Sequence, residues 1–182
     1  MARIPLKDVH SYPWYIRLLL RLQKKKYGAP LEPVLIWGRT PRVFLGFLLM
    51  QRALNRKRSP LSLELRALVT VKVSQINQCA FCVDMNASLL LKSGGSEEKL
   101  RALSHFRDSS LFTGAEKVAL EYTEAVTLTS DRPSDELFLR LKAHFDEDAL
   151  VELTALIAYQ ILSSKFNSAL DAAAFGFCLP RN

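Results

Sequence analysis

Little in this 182-residue sequence would staple a small secreted fold or turn a β-rich one. It has only three cysteines, and two of them, Cys79 and Cys82, sit three apart in a Cys-x-x-Cys, so no framework of disulfides is available. Glycine and proline are sparse and fall at the edges of apolar blocks, which excludes a chain of many tight turns and favours long helices. No apolar run approaches the roughly 20 residues that span a bilayer. The start carries Arg3, Lys7 and Asp8, and its short Leu18-Leu19-Leu20 run leads into lysines rather than into the cleavage site of a secretory leader. The cytoplasm is the expected compartment.

Acids are also in short supply, 18 against 25 lysines and arginines, which leaves a net charge of +7. The excess is concentrated early, at Arg17, Arg21, Lys24, Lys25 and Lys26, then at Arg52, Arg56, Lys57 and Arg58. No zinc finger, RNA-binding aromatic motif or long basic arm accompanies it, so a solvated basic face is expected and no nucleic-acid partner. Trp14 and Tyr15 beside these cations would suit an anionic membrane surface. The apolar residues of that segment are expected instead to dock on the core or on a neighbouring subunit.

What the chain does have is apolar content, 49% against 24% charged, enough for one packed domain over residues 1–182. Residues 1–58 read as N-terminal helices and 59–182 as the main body. A helix is expected over 12–27, ended by Gly28 and Pro30, with Pro33 keeping the next stretch irregular. Thr40-Pro41 reads as an N-cap with proline in the first turn, opening a helix over 41–56. The next, over 62–75, contains Val69, Val71 and Val73, which would also suit a strand. Further helices are expected over 79–92, closed by Gly94-Gly95, and after Ser96, an N-cap with two acids behind it. Thr113 and Glu116 form a capping box for another, Pro133-Ser134 start one more, and the last should run over 147–174. No strand pattern recurs. The fold class is all-α.

The chemistry sits in Gln75-Ile-Asn-Gln-Cys79-Ala-Phe-Cys82-Val-Asp84-Met-Asn86. Two cysteines three apart at a helix start share a face within disulfide reach, and the helix N-terminus favours the thiolate, the reactive species. Three readings compete for such a pair. Structural zinc needs about four ligands, and Cys178, His10, His105 and His144 show no paired metal spacing, so no metal is expected. Two small buried hydrophobes are the bland alternative. A dithiol/disulfide redox pair is the third and the preferred one.

The surrounding segment LRALVTVKVSQINQCAFCVDMNASLLLKSGG resembles the signature region of the carboxymuconolactone decarboxylase superfamily, in its alkylhydroperoxidase D-like branch. The stretches LFTGAEKVALEYTEAVT and DELFLRLKAHFDEDALVELTALIAYQILSSKFN are similar to that family's C-terminal helices. The resemblance spans residues 61–167. It implies an all-helical alkylhydroperoxidase D-like bundle that assembles as a homo-oligomer, a trimer, dimer or hexamer, and needs no cofactor. It further implies a hydroperoxide substrate, Cys82 as peroxidatic thiol, Cys79 as its resolver and an external dithiol as electron donor.

The sequence departs from that pattern at two positions. The family's glutamate twelve residues before the first cysteine is Ala67 here, and its histidine four residues after the second is Asn86. Alanine carries no proton, and asparagine can hydrogen-bond but does not titrate near neutral pH. Three readings of the loss follow. Asp84 with Asn86 forms a working variant; Glu64, one turn before Ala67, supplies the missing carboxylate; or peroxidase activity is weak or absent. The candidate site residues are therefore Cys82, Cys79, Asn86, Glu64 and Asp84. Beside a peroxidase stand two alternatives, a lyase of the decarboxylase type that acts without cysteine chemistry, and a non-catalytic redox-sensing scaffold. Cys178 reads as an inert thiol.

Overall fold

The computed structural model describes residues 2–128 and 132–178, and among these it contains nine α-helices, two 3-10 turns and no strand. The helices are α1 (Trp14–Tyr27), α2 (Glu32–Trp37), α3 (Pro41–Leu54), α4 (Leu63–Ile76), α5 (Ala80–Lys92), α6 (Glu97–Ala102), α7 (Gly114–Leu128), α8 (Asp135–Lys142) and α9 (Glu147–Ala169). The all-α expectation holds.

Most helix ends follow the capping chemistry of the sequence. Ser62, Ser96, Ser134 and Asp146 each accept the amide hydrogen three residues on. Thr113 and Glu116 make the reciprocal capping box, with Thr113 N donating to Glu116 Oε2 at 2.9 Å and Glu116 N to Thr113 Oγ1 at 3.2 Å. Three ends differ from expectation. Pro33 lies in the first turn of α2, where its missing N–H leaves no bond unmade. The Thr40 hydroxyl donates back to the Trp37 carbonyl and does not cap α3. The last helix stops at Ala169, because Asp171 takes a left-handed φ of 54°.

Helix α4 is the axis of the molecule and packs against α5, α7 and α9. Its sequence is apolar on every side, the mark of a surrounded helix rather than an amphipathic one. Val69, Val71 and Val73 are each fully buried, so packing overrides their strand preference. One side of α4 joins Leu65, Val69 and Val73 to Tyr122, Leu141, Leu153 and Ile157 of α7, α8 and α9. The other joins Leu68 and Val71 to Leu90, Leu103, Phe106 and Leu120. A third cluster, Tyr12, Ile16, Leu20, Trp37 and Phe44, ties α1 to α3 and reaches Phe166 of α9.

By length and composition α9 is the one described helix that could cross a membrane, with a mean hydropathy of 1.2 over its most apolar stretch. More than half of that stretch is buried inside the protein, together with Glu152, Gln160, Ser164 and Asn167. Here α9 is a core helix.

Truncating the fully buried Leu153 to alanine should cost about 2–5 kcal/mol. The same change at exposed Val151, its neighbour on α9, should stay within about 0.5 kcal/mol. Urea unfolding of the two variants against the parent measures both.

Candidate active site

The site begins where α4 ends. Asn77 is the C-cap, Gln78 takes a left-handed φ of 53°, and the amides of Gln78 and Cys79 return to the carbonyls of Gln75 and Ser74 at 3.1 and 3.0 Å. This is a Schellman turn with glutamine in the position usually given to glycine, a conformation that costs roughly 1–2 kcal/mol for a residue with a Cβ. Cys79 closes that turn and also opens the next helix. Its Sγ accepts the Cys82 amide at 3.2 Å as the N-cap of α5.

Cys79 and Cys82 are joined as a disulfide with their Cα atoms 5.2 Å apart, and each residue is only 1% exposed. A second Schellman turn arrives from α9, where Ala172 N donates to the Asn167 carbonyl and Asp171 N to that of Ser168. It sets Asn167 beside the pair, and Asn167 Nδ2 donates to Cys82 Sγ at 3.4 Å. Each sulfur thus receives one N–H, the kind of contact that favours a thiolate over a thiol.

Behind the pair, Ser74 links three helices. Its hydroxyl donates to the Thr70 carbonyl at 2.6 Å and accepts Asn86 Nδ2 at 3.1 Å and Gln160 Nε2 at 3.0 Å. Asn77 Nδ2 donates to Ser164 Oγ at 2.8 Å alongside. Thr70, Ser74, Asn77, Asn86, Gln160, Ser164 and Asn167 are all amides or hydroxyls, so among the described residues no group of this network titrates near neutral pH.

The expected residues divide at this point. Asn86 is buried on the α5 face below Cys82, but its amide hydrogens go to Ser74 and Thr70, and the amide that reaches a sulfur belongs to Asn167. Ala67 lines the adjoining cavity where the family carboxylate would stand. Glu64 does not replace it. It lies at the far end of α4, twelve residues before Ile76 and so about 18 Å away along the axis. There its carboxylate pairs with Lys99 at 2.7 Å, and Lys99 also holds Glu116 at 2.6 Å.

Asp84 turns away from the sulfurs altogether. Its Oδ2 accepts the amides of Phe175, Gly176 and Phe177 at 3.1, 2.6 and 2.9 Å, and its Oδ1 accepts that of Cys178 at 2.9 Å. One carboxylate therefore fixes the C-terminal strap, residues 175–178. Phe175 and Phe177 pack with Tyr27, Leu31 and Phe81 over the two cysteines. Cys178 Sγ donates to the Asp84 carbonyl at 3.2 Å, and partial burial followed by the Asp84 charge raises its thiol above the usual range. Sequence reasoning found the cysteines but passed over Ser74, Gln160 and Asn167. The two from α9 lie more than 75 residues from Cys82, and nothing local marks them.

Beside the pair a cavity of about 640 Å³ opens, and Tyr27, Leu31 and Phe81 line it as well as packing with the strap. The wall is largely apolar and includes an aromatic stack, Trp37 on Phe47 at 4.5 Å and Phe47 on Tyr159 at 4.8 Å, and Trp37 also stacks on Phe166 at 3.6 Å. Phe81, Asn86 and Asn167 line it and the cysteines do not, so the disulfide sits one side chain behind the wall. Burial pushes the Tyr159 hydroxyl well above its ordinary pKa.

Comparison with known proteins places this arrangement in context. Residues 41–125 match the carboxymuconolactone decarboxylase family. Uncharacterized protein YnjA of Escherichia coli (strain K12) is 42% identical over 173 residues, 95% of either chain. The alkylhydroperoxidase AhpD core of an uncharacterized peroxidase-related protein from Ralstonia eutropha shares the fold at a TM-score of 0.85 and 20% identity, over 99% of this chain and 98% of that one. A protein of unknown function from Agrobacterium tumefaciens gives a TM-score of 0.70 at 26% identity, over 79% of this chain and 94% of that one.

Asp84→Asn should loosen the strap and lower the Cys178 thiol pKa, because both burial and a negative charge are relieved. In the oxidised protein the iodoacetamide labelling rate of Cys178 at pH 7.5, followed by intact mass, should rise several-fold. An unchanged rate would show that Asp84 does not hold the strap.

Proposed function

Because the chain belongs to the carboxymuconolactone decarboxylase family, we propose that it acts as a thiol-dependent oxidoreductase of the alkylhydroperoxidase D-like branch, reducing hydroperoxides at Cys79 and Cys82. The observation that carries this reading is the pair itself, disulfide-bonded at a helix N-terminus with an N–H donor on each sulfur, one side chain from an apolar cavity.

Cys82 is taken as the nucleophile because its hydrogen-bonding partner, Asn167, lines the cavity. Its thiolate attacks the terminal oxygen of R–O–O–H, the O–O bond breaks, and the departing alkoxide takes a proton to leave as R–OH. The sulfur, oxidised by two electrons, is then a sulfenic acid. The Cys79 thiol condenses with it, giving the disulfide and water. An external dithiol restores the pair by exchange and is itself left as a disulfide. Asn167 and the α5 N-terminus stabilise charge on sulfur in this cycle, but among the described residues no side chain bonded to the sulfurs or to the Ser74 network takes the thiol proton, so ionisation depends on solvent pH.

That same lack of a base supports the second reading, a redox sensor whose pair oxidises slowly without useful turnover. A lyase that ignores the cysteines has no comparable feature behind it. We also propose a homo-oligomer. Trp14, Leu18 and Leu22 form an exposed apolar stripe on α1, and Val43, Leu49 and Met50 another on α3.

Reduced protein treated with cumene hydroperoxide should lose two alkylatable thiols, and Cys82→Ser should abolish that loss. The rate should rise about tenfold per pH unit while the thiol is still mostly protonated, with no second ionisation from a protein base. Thiols that remain fully alkylatable after long exposure would exclude the peroxidase.

Sedimentation should show a species larger than one chain, and Leu18→Glu with Leu49→Glu should shift it toward the monomer. A parent protein that sediments as a single chain would refute the assembly.

A further inference from the structure

The cavity beside the pair is one-sided in charge. Lys26, Arg66 and Lys92 line it, and among the described residues no aspartate or glutamate does. The lysines are exposed. Arg66 is only 6% exposed, and no ion pair joins it to a carboxylate among the described residues. It donates from Nη1 to the Leu54 carbonyl at 2.8 Å, while its Nε is buried without a partner. Burial pulls its pKa down, and Glu152, which opposes this, is already held by Arg56 and Ser59. Trp37 and Tyr159 line the same space, and the Trp37 Nε1 and Tyr159 hydroxyl are buried and unpartnered.

A buried donor left unmade is costly, and a buried cation without a counter-ion more so. Three lining residues that each carry such a group, with apolar surface over most of the remainder, call for a ligand that is itself mostly apolar and carries one anionic acceptor. A guanidinium fork matches a carboxylate in shape and charge. A volume of about 640 Å³ suits a molecule of a dozen or more carbon atoms.

We infer that this cavity binds an amphipathic carboxylate, its acid group on Arg66 and its apolar body along the Trp37–Phe47–Tyr159 stack. Binding is a property of the cavity alone. That a hydroperoxide of such an acid is the substrate rests on the peroxidase reading above, and its O–O bond would be cleaved by the same balanced steps.

The test uses the oxidised protein, whose disulfide permits no thiol chemistry, in calorimetric titrations with dodecanoate, dodecan-1-ol and dodecylammonium. Dodecanoate should bind about tenfold more tightly than the alcohol, the weight of one charge-assisted hydrogen bond, and the ammonium should bind least. Arg66→Gln should erase the acid's advantage and keep the alcohol's affinity, which also shows that the variant is folded. Should Arg66→Gln fail to fold, the three-ligand comparison on the unmodified protein decides by itself. Equal binding of acid and alcohol, or an ammonium that matches the acid, overturns the inference. Acid-selective binding without hydroperoxide turnover supports this site and removes the peroxidase role. Turnover with acid-blind binding overturns the site and keeps the role.

Discussion

The arrangement depends on one buried hydroxyl. Ser74 is fully enclosed, donates within its own helix and accepts one amide from α5 and one from α9, so three helices share one polar junction, flanked by the Asn77–Ser164 and Asn167–Cys82 contacts. A serine hydroxyl can do this because it donates once and accepts twice. An apolar residue there would take an acceptor from two buried amides, Asn86 and Gln160, and the penalty for a buried donor left unmade exceeds what a neutral hydrogen bond contributes when made. The sulfurs lie just beyond this junction. Their positions follow from where α4 ends, where α5 begins and where α9 sets Asn167.

Two features border the pair. One is the strap, packed with aromatic rings and held by four amides on a single carboxylate. The other is the cavity, apolar with a cationic edge. Tyr27, Leu31 and Phe81 belong to both, so the residues that cover the cysteines also form part of the cavity wall.

How much of this was legible in the sequence varies with the range of the interaction. Helix ends written in short capping motifs, Ser62, Ser96, Thr113 with Glu116, and Ser134, were readable because the chemistry closes within four residues. The Cys-x-x-Cys was readable for the same reason. The strap-holding contacts of Asp84 could not be read because its partners lie more than 90 residues away, while its place near two cysteines in sequence suggests a part in their chemistry. Glu64 shared a helical face with Ala67, but an extra turn carried it to Lys99 instead. Asn167 was unreadable, since only the packing of α9 against α5 gives that asparagine a sulfur to meet. Val69, Val71 and Val73 show the same lesson in secondary structure, where surroundings decide what local preference leaves open.

Cys79 has a backbone that finishes one helix and a side chain that starts the next. Neither attachment is to a mobile loop. In the proposed cycle the sulfur–sulfur bond would be made and broken on a scaffold with little freedom to follow it, more like a relay contact than a hinge. A partner sensing the oxidation state would then find its cue in the chemistry of the two sulfurs rather than in a large change of shape.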